Sequence, residues 1–218
     1  MAQEPRELPD WFGPVAEDVI EYCRPKQGLW VDLGSGSGGL GFALAQASES
    51  VILLIEPNAN TLEKALERAS SGLAARVVPI VSGAEHIPLP DGSVDLVTSR
   101  GSIFFWKDPP QGLREVYRIL RPGARALIGG GFGTSYPASA REEFFRRGKD
   151  NKPRKKSKTE EEEKQKARAE RPYETVRPWN EPRRPEWMAE QARAAGIETA
   201  LVEPVPPGLW LLFEKGRT

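Results

Sequence analysis

The stretch that most constrains this chain is Asp32-Leu33-Gly34-Ser35-Gly36-Ser37-Gly38-Gly39. It follows a short apolar run, Leu29-Trp30-Val31, and opens directly into a helical pattern over Gly39 to Ala47. Glycines allow a tight turn and let a ligand approach the backbone closely. The helix beyond presents unpaired N–H groups. A strand, a glycine turn and a helix in that order belong to an α/β protein.

The alternation continues from about Pro14 to Phe132. Val15, Val19, Ile20 and Tyr22 suit one face of a short helix ahead of the loop. Val51 to Ile55 is a continuous aliphatic run, as in a strand buried on both faces. A helix is expected over Asn60 to Ser70 and a third strand over Val77 to Val81, whose Pro79 suits an edge position. The turn pair Asp91-Gly92 introduces a fourth strand, Val94 to Thr98. Leu113 to Leu120 reads as a helix stopped by Arg121-Pro122-Gly123, and Ala124 to Ile128 as the fifth strand. Strands alternating with helices imply a parallel sheet covered on both faces.

A charged insert at about 137–184 breaks this rhythm, with a basic block over Lys152 to Lys158 and an acidic one over Glu160 to Glu163. After it come a helix, Pro185 to Ala195 with Gly196 as its stop, and two strands, Ile197 to Val202 and Leu209 to Phe213. Pro204, Pro206 and Pro207 join those strands; no helix fits between them, so they should pair antiparallel.

With 218 residues, 39% hydrophobic and 28% charged, the chain has material for one sizeable core. A formal net charge of zero argues against a protein built mainly to hold nucleic acid. Cys23 stands alone, so neither an internal disulfide nor a cysteine-rich metal site is expected; on its helix it reads as a small core residue. No apolar run approaches the roughly 20 residues of a membrane helix. Met1 to Asp10 is polar with two prolines and does not read as a secretion signal. These features together point to a protein of the cytoplasm, without metal.

Glu56, about 20 residues past the glycine loop at the end of the second strand, is placed to accept both hydroxyls of a ribose. Two nucleoside cofactors fit. Gly34, Gly36 and Gly39 satisfy the dinucleotide pattern, which keeps NAD open. Asp32 favours S-adenosylmethionine instead, because a carboxylate aimed at the loop repels a pyrophosphate and attracts an ammonium and a sulfonium.

Val31 to Gly38 resembles the first motif of the class I S-adenosylmethionine-dependent methyltransferases, and Leu54-Ile55-Glu56-Pro57-Asn58 resembles their second. Ala84 to Val97 is similar to their adenine loop and fourth strand, and Leu113 to Ala124 to the helix and turn that lead into the fifth. The resemblance covers about Pro14 to Phe132 well and Pro185 to Phe213 loosely. It implies a Rossmann-like three-layer sandwich, with a mostly parallel seven-stranded sheet whose last strand is antiparallel. The whole of residues 1–218 would form a single domain carrying the insert. By position, Asp32, Gly34, Ser35 and Gly36 would hold the methionine part and Glu56 the ribose. Ala84 and Glu85 would line the adenine, with Pro57 and Ser99 also among the cofactor contacts. The family often has an aspartate before that alanine; here the position is Gly83. Adenine recognition would then rest on backbone groups or on Glu85.

The acceptor is expected past the fourth strand, along Thr98 to Trp106. Methyl transfer is an in-line displacement that needs alignment, and a base only where the acceptor must lose a proton. Arg100 suits an acceptor carboxylate or phosphate, though a salt bridge or the cofactor carboxylate would explain it equally. Phe104 and Trp106, with Phe105, either wall an apolar acceptor site or pack a helix on the sheet. His86 is a candidate base or a surface loop residue. Asp108-Pro109-Pro110 is compared with the amino-group methyltransferase motif, but lies about ten residues too late and reads as a helix entry. Tyr136, Tyr173 and Trp179 are candidate contacts if the insert is a lid; otherwise the insert is a solvated helix or loop. The expected function is methylation of a small molecule. A cofactor-binding protein without chemistry and an RNA or protein methyltransferase remain as alternatives.

Overall fold

The computed structural model describes residues 10–67, 71–150, 185–203 and 208–217. In chain order the elements are α1 (Phe12–Cys23), β1 (Leu29–Leu33), α2 (Gly39–Gln46), β2 (Val51–Ile55), α3 (Ala59–Leu66), α4 (Ser71–Ala74) and β3 (Val77–Ile80). Then follow β4 (Val94–Arg100), a single 3₁₀ turn (Ile103–Phe105), α5 (Pro109–Ile119), β5 (Leu120–Gly131) and α6 (Ala138–Asp150). The chain closes with α7 (Pro185–Ala194), β6 (Leu201–Glu203) and β7 (Gly208–Glu214).

The strands form one seven-stranded sheet in the order β3-β2-β1-β4-β5-β7-β6. β1 to β5 pair in parallel, and β7 runs antiparallel to both β5 and β6. β3, with Pro79, takes the outer edge as its proline requires. Alternation along the central strands sorts the core into two layers. Val31, Leu33, Val97 and Ile128 pack with Leu113, Val116 and Met188 of α5 and α7. Trp30, Ile52, Leu54 and Leu96 pack with Val15, Val19, Leu40 and Leu44 of α1 and α2. This is a three-layer α/β sandwich.

α1 buries Val15 and Val19 and ends on Cys23, whose thiol burial pushes up to about 12, so it is inert packing. α1 is also tied to the segment after β5: the Thr134 backbone N–H and hydroxyl both donate to the Asp18 carboxylate, at 2.8 and 2.5 Å.

Several boundaries differ from the sequence expectation, each for a local reason. β4 continues to Arg100 because Thr98 and Ser99, polar but fully buried, keep the ladder to β5 going. α5 starts at Pro109, since Asp108 accepts the Gln111 N–H at 3.0 Å and the first turn tolerates both prolines. β6 starts only at Leu201. Ile197 is consumed in a helix-ending motif: its N–H reaches the Ala192 carbonyl at 2.9 Å, that of Gly196 reaches Arg193 at 2.9 Å, and Gly196 sits at φ 79°. The first part of the charged insert is helix α6; residues 151–184, including both charge blocks, lie outside the described residues.

Candidate cofactor site

The carboxyl ends of β1, β2 and β4 open onto a cavity of about 590 Å³. Gly34 lines it from the glycine loop, and Glu56 and Pro57 from the end of β2. Ser82, Gly83, Ala84 and Glu85 line it from the loop after β3; Arg100, Gly101, Ser102, Phe105, Trp106 and Lys107 close it beyond β4.

The loop starts when the N–H groups of Gly34 and Ser35 both donate to the Ile55 carbonyl, at 2.7 and 3.1 Å. Gly34 sits at φ 68°, and a Cβ there would lie 2.2 Å from that of Ser102, so both conformation and space demand glycine. At Gly36, φ 53°, an added Cβ would meet nothing within 4 Å: the backbone there faces open space, as a ligand cradle does.

Two carboxylates each take up one amide donor of the loop and the helix it opens. The Gly41 N–H, at the first turn of α2, donates to Asp32 Oδ2 at 2.8 Å. The Gly36 N–H donates to Glu56 Oε2 at 3.1 Å, and the Asn58 N–H to Glu56 Oε1 at 3.2 Å. Asp32 is buried and does not itself line the cavity. Burial pushes its carboxyl up to about 7, opposed by the Gly41 hydrogen bond, raised further by the Glu56 charge and lowered by that of Arg100. The Ser35 hydroxyl is buried with no partner among the described residues, a group that a ligand can satisfy.

Sequence reading missed Ser102. Its hydroxyl donates to the Leu33 carbonyl at 2.9 Å and accepts the Trp106 indole N–H at 3.0 Å. With its one proton on Leu33, Ser102 must accept from the Ser99 hydroxyl, 2.5 Å away. This hub joins β1, β4 and the Trp106 wall. No local pattern marks it, because its partner Leu33 is 69 residues distant.

The remaining candidates separate clearly. Trp106 lines the cavity, whereas Phe104 is buried and packs on Trp187 at 5.9 Å between ring centroids. Phe105, not Phe104, is the phenylalanine at the cavity. Arg100 donates from Nε to the Gly131 carbonyl at 2.7 Å, with its guanidinium 5.4 to 5.9 Å from the rings of Trp11, Phe12 and Phe132. Tyr136 is buried and stacks on Phe132 at 5.0 Å, outside the cavity lining. His86 is exposed and outside it too. Tyr173 and Trp179 lie outside the described residues.

The loop over 82–91 is fastened by α5. Arg118 donates to the carbonyls of Ile87 and Leu89, each at 2.8 Å, and to Asp91 at 2.7 Å. The Ile87 N–H donates to Glu115 at 2.8 Å, and the Arg118 hydrogen bonds to Glu115 hold that carboxyl below its ordinary value. Among the described residues no helix is long and apolar enough to cross a membrane, and no group of three potential metal ligands occurs.

Residues 31–128 match the family described as methyltransferase domain. A chloroplastic 2-methyl-6-phytyl-1,4-hydroquinone methyltransferase of Oryza sativa subsp. japonica is 37% identical over 140 residues, covering 62% of this chain and 38% of that protein. A ubiquinone/menaquinone biosynthesis C-methyltransferase of Methylobacterium nodulans is 34% identical over 99 residues, covering 44% of this chain and 39% of that protein. The chain thus spans about two fifths of the length of these curated relatives. A solved structure from Methanococcus maripaludis, a candidate S-adenosyl-L-methionine-dependent methyltransferase, superposes with a TM-score of 0.74 at 25% identity, covering 100% of this chain and 98% of that one. The sheet order, the glycine loop with its carboxylates and these likenesses agree: over residues 31–128 the chain matches the methyltransferase domain family, and its fold is that of the Methanococcus maripaludis protein.

Proposed function

We propose that this chain is an S-adenosylmethionine-dependent methyltransferase acting on a small-molecule acceptor. The observation that carries the choice of cofactor is the occupancy of the loop's donors. A pyrophosphate needs the amide N–H groups at the start of α2. Here Asp32 has taken that of Gly41 in the first turn, and Glu56 that of Gly36 in the loop before the helix. With Asp32 titrating near 7, its charge argues less strongly against a dinucleotide than the sequence suggests; the occupied amides supply the stronger argument.

S-adenosylmethionine supplies a methyl group on a positively charged sulfur, which an acceptor displaces in line while S-adenosylhomocysteine departs. Glu56, oriented by the Gly36 and Asn58 N–H groups, keeps lone pairs for two ribose hydroxyls. Gly34, Ser35 and Gly36 hold the methionine part, with the Ser35 hydroxyl gaining the partner it lacks. Gly83, Ala84 and Glu85 flank the base. Phe105 and Trp106 form an apolar wall beyond β4, where the acceptor enters.

The ionisable side chains of the described cavity lining are Glu56, Glu85, Arg100 and Lys107, with no imidazole, thiol or phenol among them. This supports catalysis by alignment, with the acceptor's proton lost to water. The names of the hydroquinone and quinone-pathway relatives support a small organic acceptor. The same proposal treats residues 1–218 as one cytoplasmic domain, with the segment at about 137–184 as a connection between β5 and α7.

Incubation of the purified chain with methyl-labelled S-adenosylmethionine and a metabolite extract should put label into small molecules, with matching release of S-adenosylhomocysteine. Label in RNA or protein would contradict the acceptor class. Tight cofactor binding with no transfer to any fraction would contradict the enzymatic reading.

A further inference from the structure

We propose that the methyl acceptor is an organic acid with an apolar body, seated on Phe105 with its anionic group paired to the Lys107 ammonium; this rests on the function proposed above. The charges of the cavity lining are segregated. Its acids, Glu56 and Glu85, stand on the loops after β2 and β3, while its cations, Arg100 and Lys107, stand at and beyond the end of β4. Both acids are already engaged by backbone donors. Glu56 accepts the Gly36 and Asn58 N–H groups, and Glu85 those of Lys107 and Asp108, at 2.6 and 3.3 Å. Asp108 lies outside the lining and caps α5 through the Gln111 N–H. Among the described lining residues, the end of the cavity beyond β4 therefore carries positive charge with no acid of its own.

Phe105 and Lys107 form one unit. Trp106 between them is extended, at φ −66° and ψ 141°, which sets its two neighbours on the same side of the chain. The Trp106 ring turns inward, 2.5 Å from the place a Cβ at Gly112 would occupy, and its indole N–H is held by Ser102. Phe105 is left exposed at the cavity, apolar area for a ligand to cover. The Lys107 backbone is fixed by Glu85, while its ammonium has no hydrogen-bond or ion-pair partner among the described residues. Arg100 is held by the Gly131 carbonyl and three aromatic rings, so its charge stays at the cavity wall.

Attraction and repulsion both select. The donor sulfonium, Arg100 and Lys107 all attract an anion, and all three repel a protonated amine. The phenyl ring favours hydrocarbon over a polar body. Lys107 is thus a specificity-determining residue for the acceptor, and cationic amines are the class it excludes.

The test saturates the chain with S-adenosylhomocysteine and titrates a panel of aryl and alkyl carboxylates, each paired with its own neutral carboxamide. Each pair keeps the shape and removes the charge. For at least one pair the carboxylate should bind about fivefold or more tightly, the upper end for a solvent-accessible ion pair. Lys107→Gln should cut that preference to about twofold or less and Lys107→Arg should keep it, both with the melting temperature retained. Phe105→Ala should instead weaken acid and amide together; a loss confined to the acid would contradict the apolar seat. No preference for any carboxylate, or a preference that survives in Lys107→Gln, overturns the proposal. Failure of the wild type to bind S-adenosylhomocysteine at all overturns the cofactor reading, and this proposal with it.

Discussion

Asp32 and Gly41 lie nine residues apart and are joined by a 2.8 Å hydrogen bond from the glycine's backbone N–H to a buried carboxylate. Gly38, ahead of α2, offers no side chain to cap the helix, so a strand residue supplies the acceptor. The same burial raises the Asp32 carboxyl to about 7, against an ordinary value of 3.8. Between these values the unfolded chain has lost its proton while the native one retains it. Stability from this group therefore falls as pH rises through that window and stays low above it. Asp32→Asn removes the ionisation. The gap between variant and wild type should therefore widen from pH 5 to pH 8, the variant melting a few degrees higher at pH 8. Parallel melting curves for both proteins across that range would show that Asp32 is not the titrating group.

Glu56→Ala removes the acceptor for the Gly36 and Asn58 N–H groups and for the proposed ribose hydroxyls. S-adenosylhomocysteine affinity should drop by about 1–3 kcal/mol, the range for charge-assisted hydrogen bonds. Calorimetric titration gives the answer; unchanged affinity in a folded variant would take Glu56 out of the site.

Ser102→Ala breaks three hydrogen bonds at once and leaves the Leu33 carbonyl, the Trp106 indole N–H and the Ser99 hydroxyl without that partner. A loss of about 1–3 kcal/mol in unfolding free energy is expected, since polar groups are stranded in a part-buried network. Urea denaturation measures it. A neutral result would mean that the serine hub does not hold the Trp106 wall.

Much of this was legible because it is local. The aliphatic runs of β1, β2 and β5 and the glycine loop announce a parallel sheet with a nucleoside site at its carboxyl edge. Gly34, Glu56, Ala84 and Glu85 sit in short motifs and line the cavity. What stayed hidden depends on three-dimensional neighbours. Ser99 and Arg100 look like loop, yet they complete β4 because they pair with Ile128 and Gly129 of β5. Whether Phe104 or Phe105 reaches the cavity is decided by one 3₁₀ turn that buries Ile103 and Phe104 and leaves Phe105 46% exposed. Ser102 gains its role from Leu33 and Trp106. Ile197 looks like strand and is spent closing α7.

Among the described residues, those that line the cavity all lie between Gly34 and Lys107. Deleting Lys152 to Lys166 should therefore leave S-adenosylhomocysteine affinity within about twofold of wild type, since lengthening or shortening a connection costs little closure entropy. Titration of the deletion variant checks this. A large loss of affinity in a folded variant would place part of that segment over the cofactor.

The most direct measurement of the central claim is a side-by-side titration of the wild-type chain with S-adenosylhomocysteine and NAD. A ligand that binds the native state raises the melting temperature by mass action. The two ligands share an adenosine and differ in what they present to the glycine loop. S-adenosylhomocysteine offers an amino-acid end, whereas NAD offers a pyrophosphate to amides that Asp32 and Glu56 already occupy. S-adenosylhomocysteine should bind and raise the melting temperature, and NAD at equal concentration should do neither. Stabilisation by NAD with no response to S-adenosylhomocysteine would contradict the account.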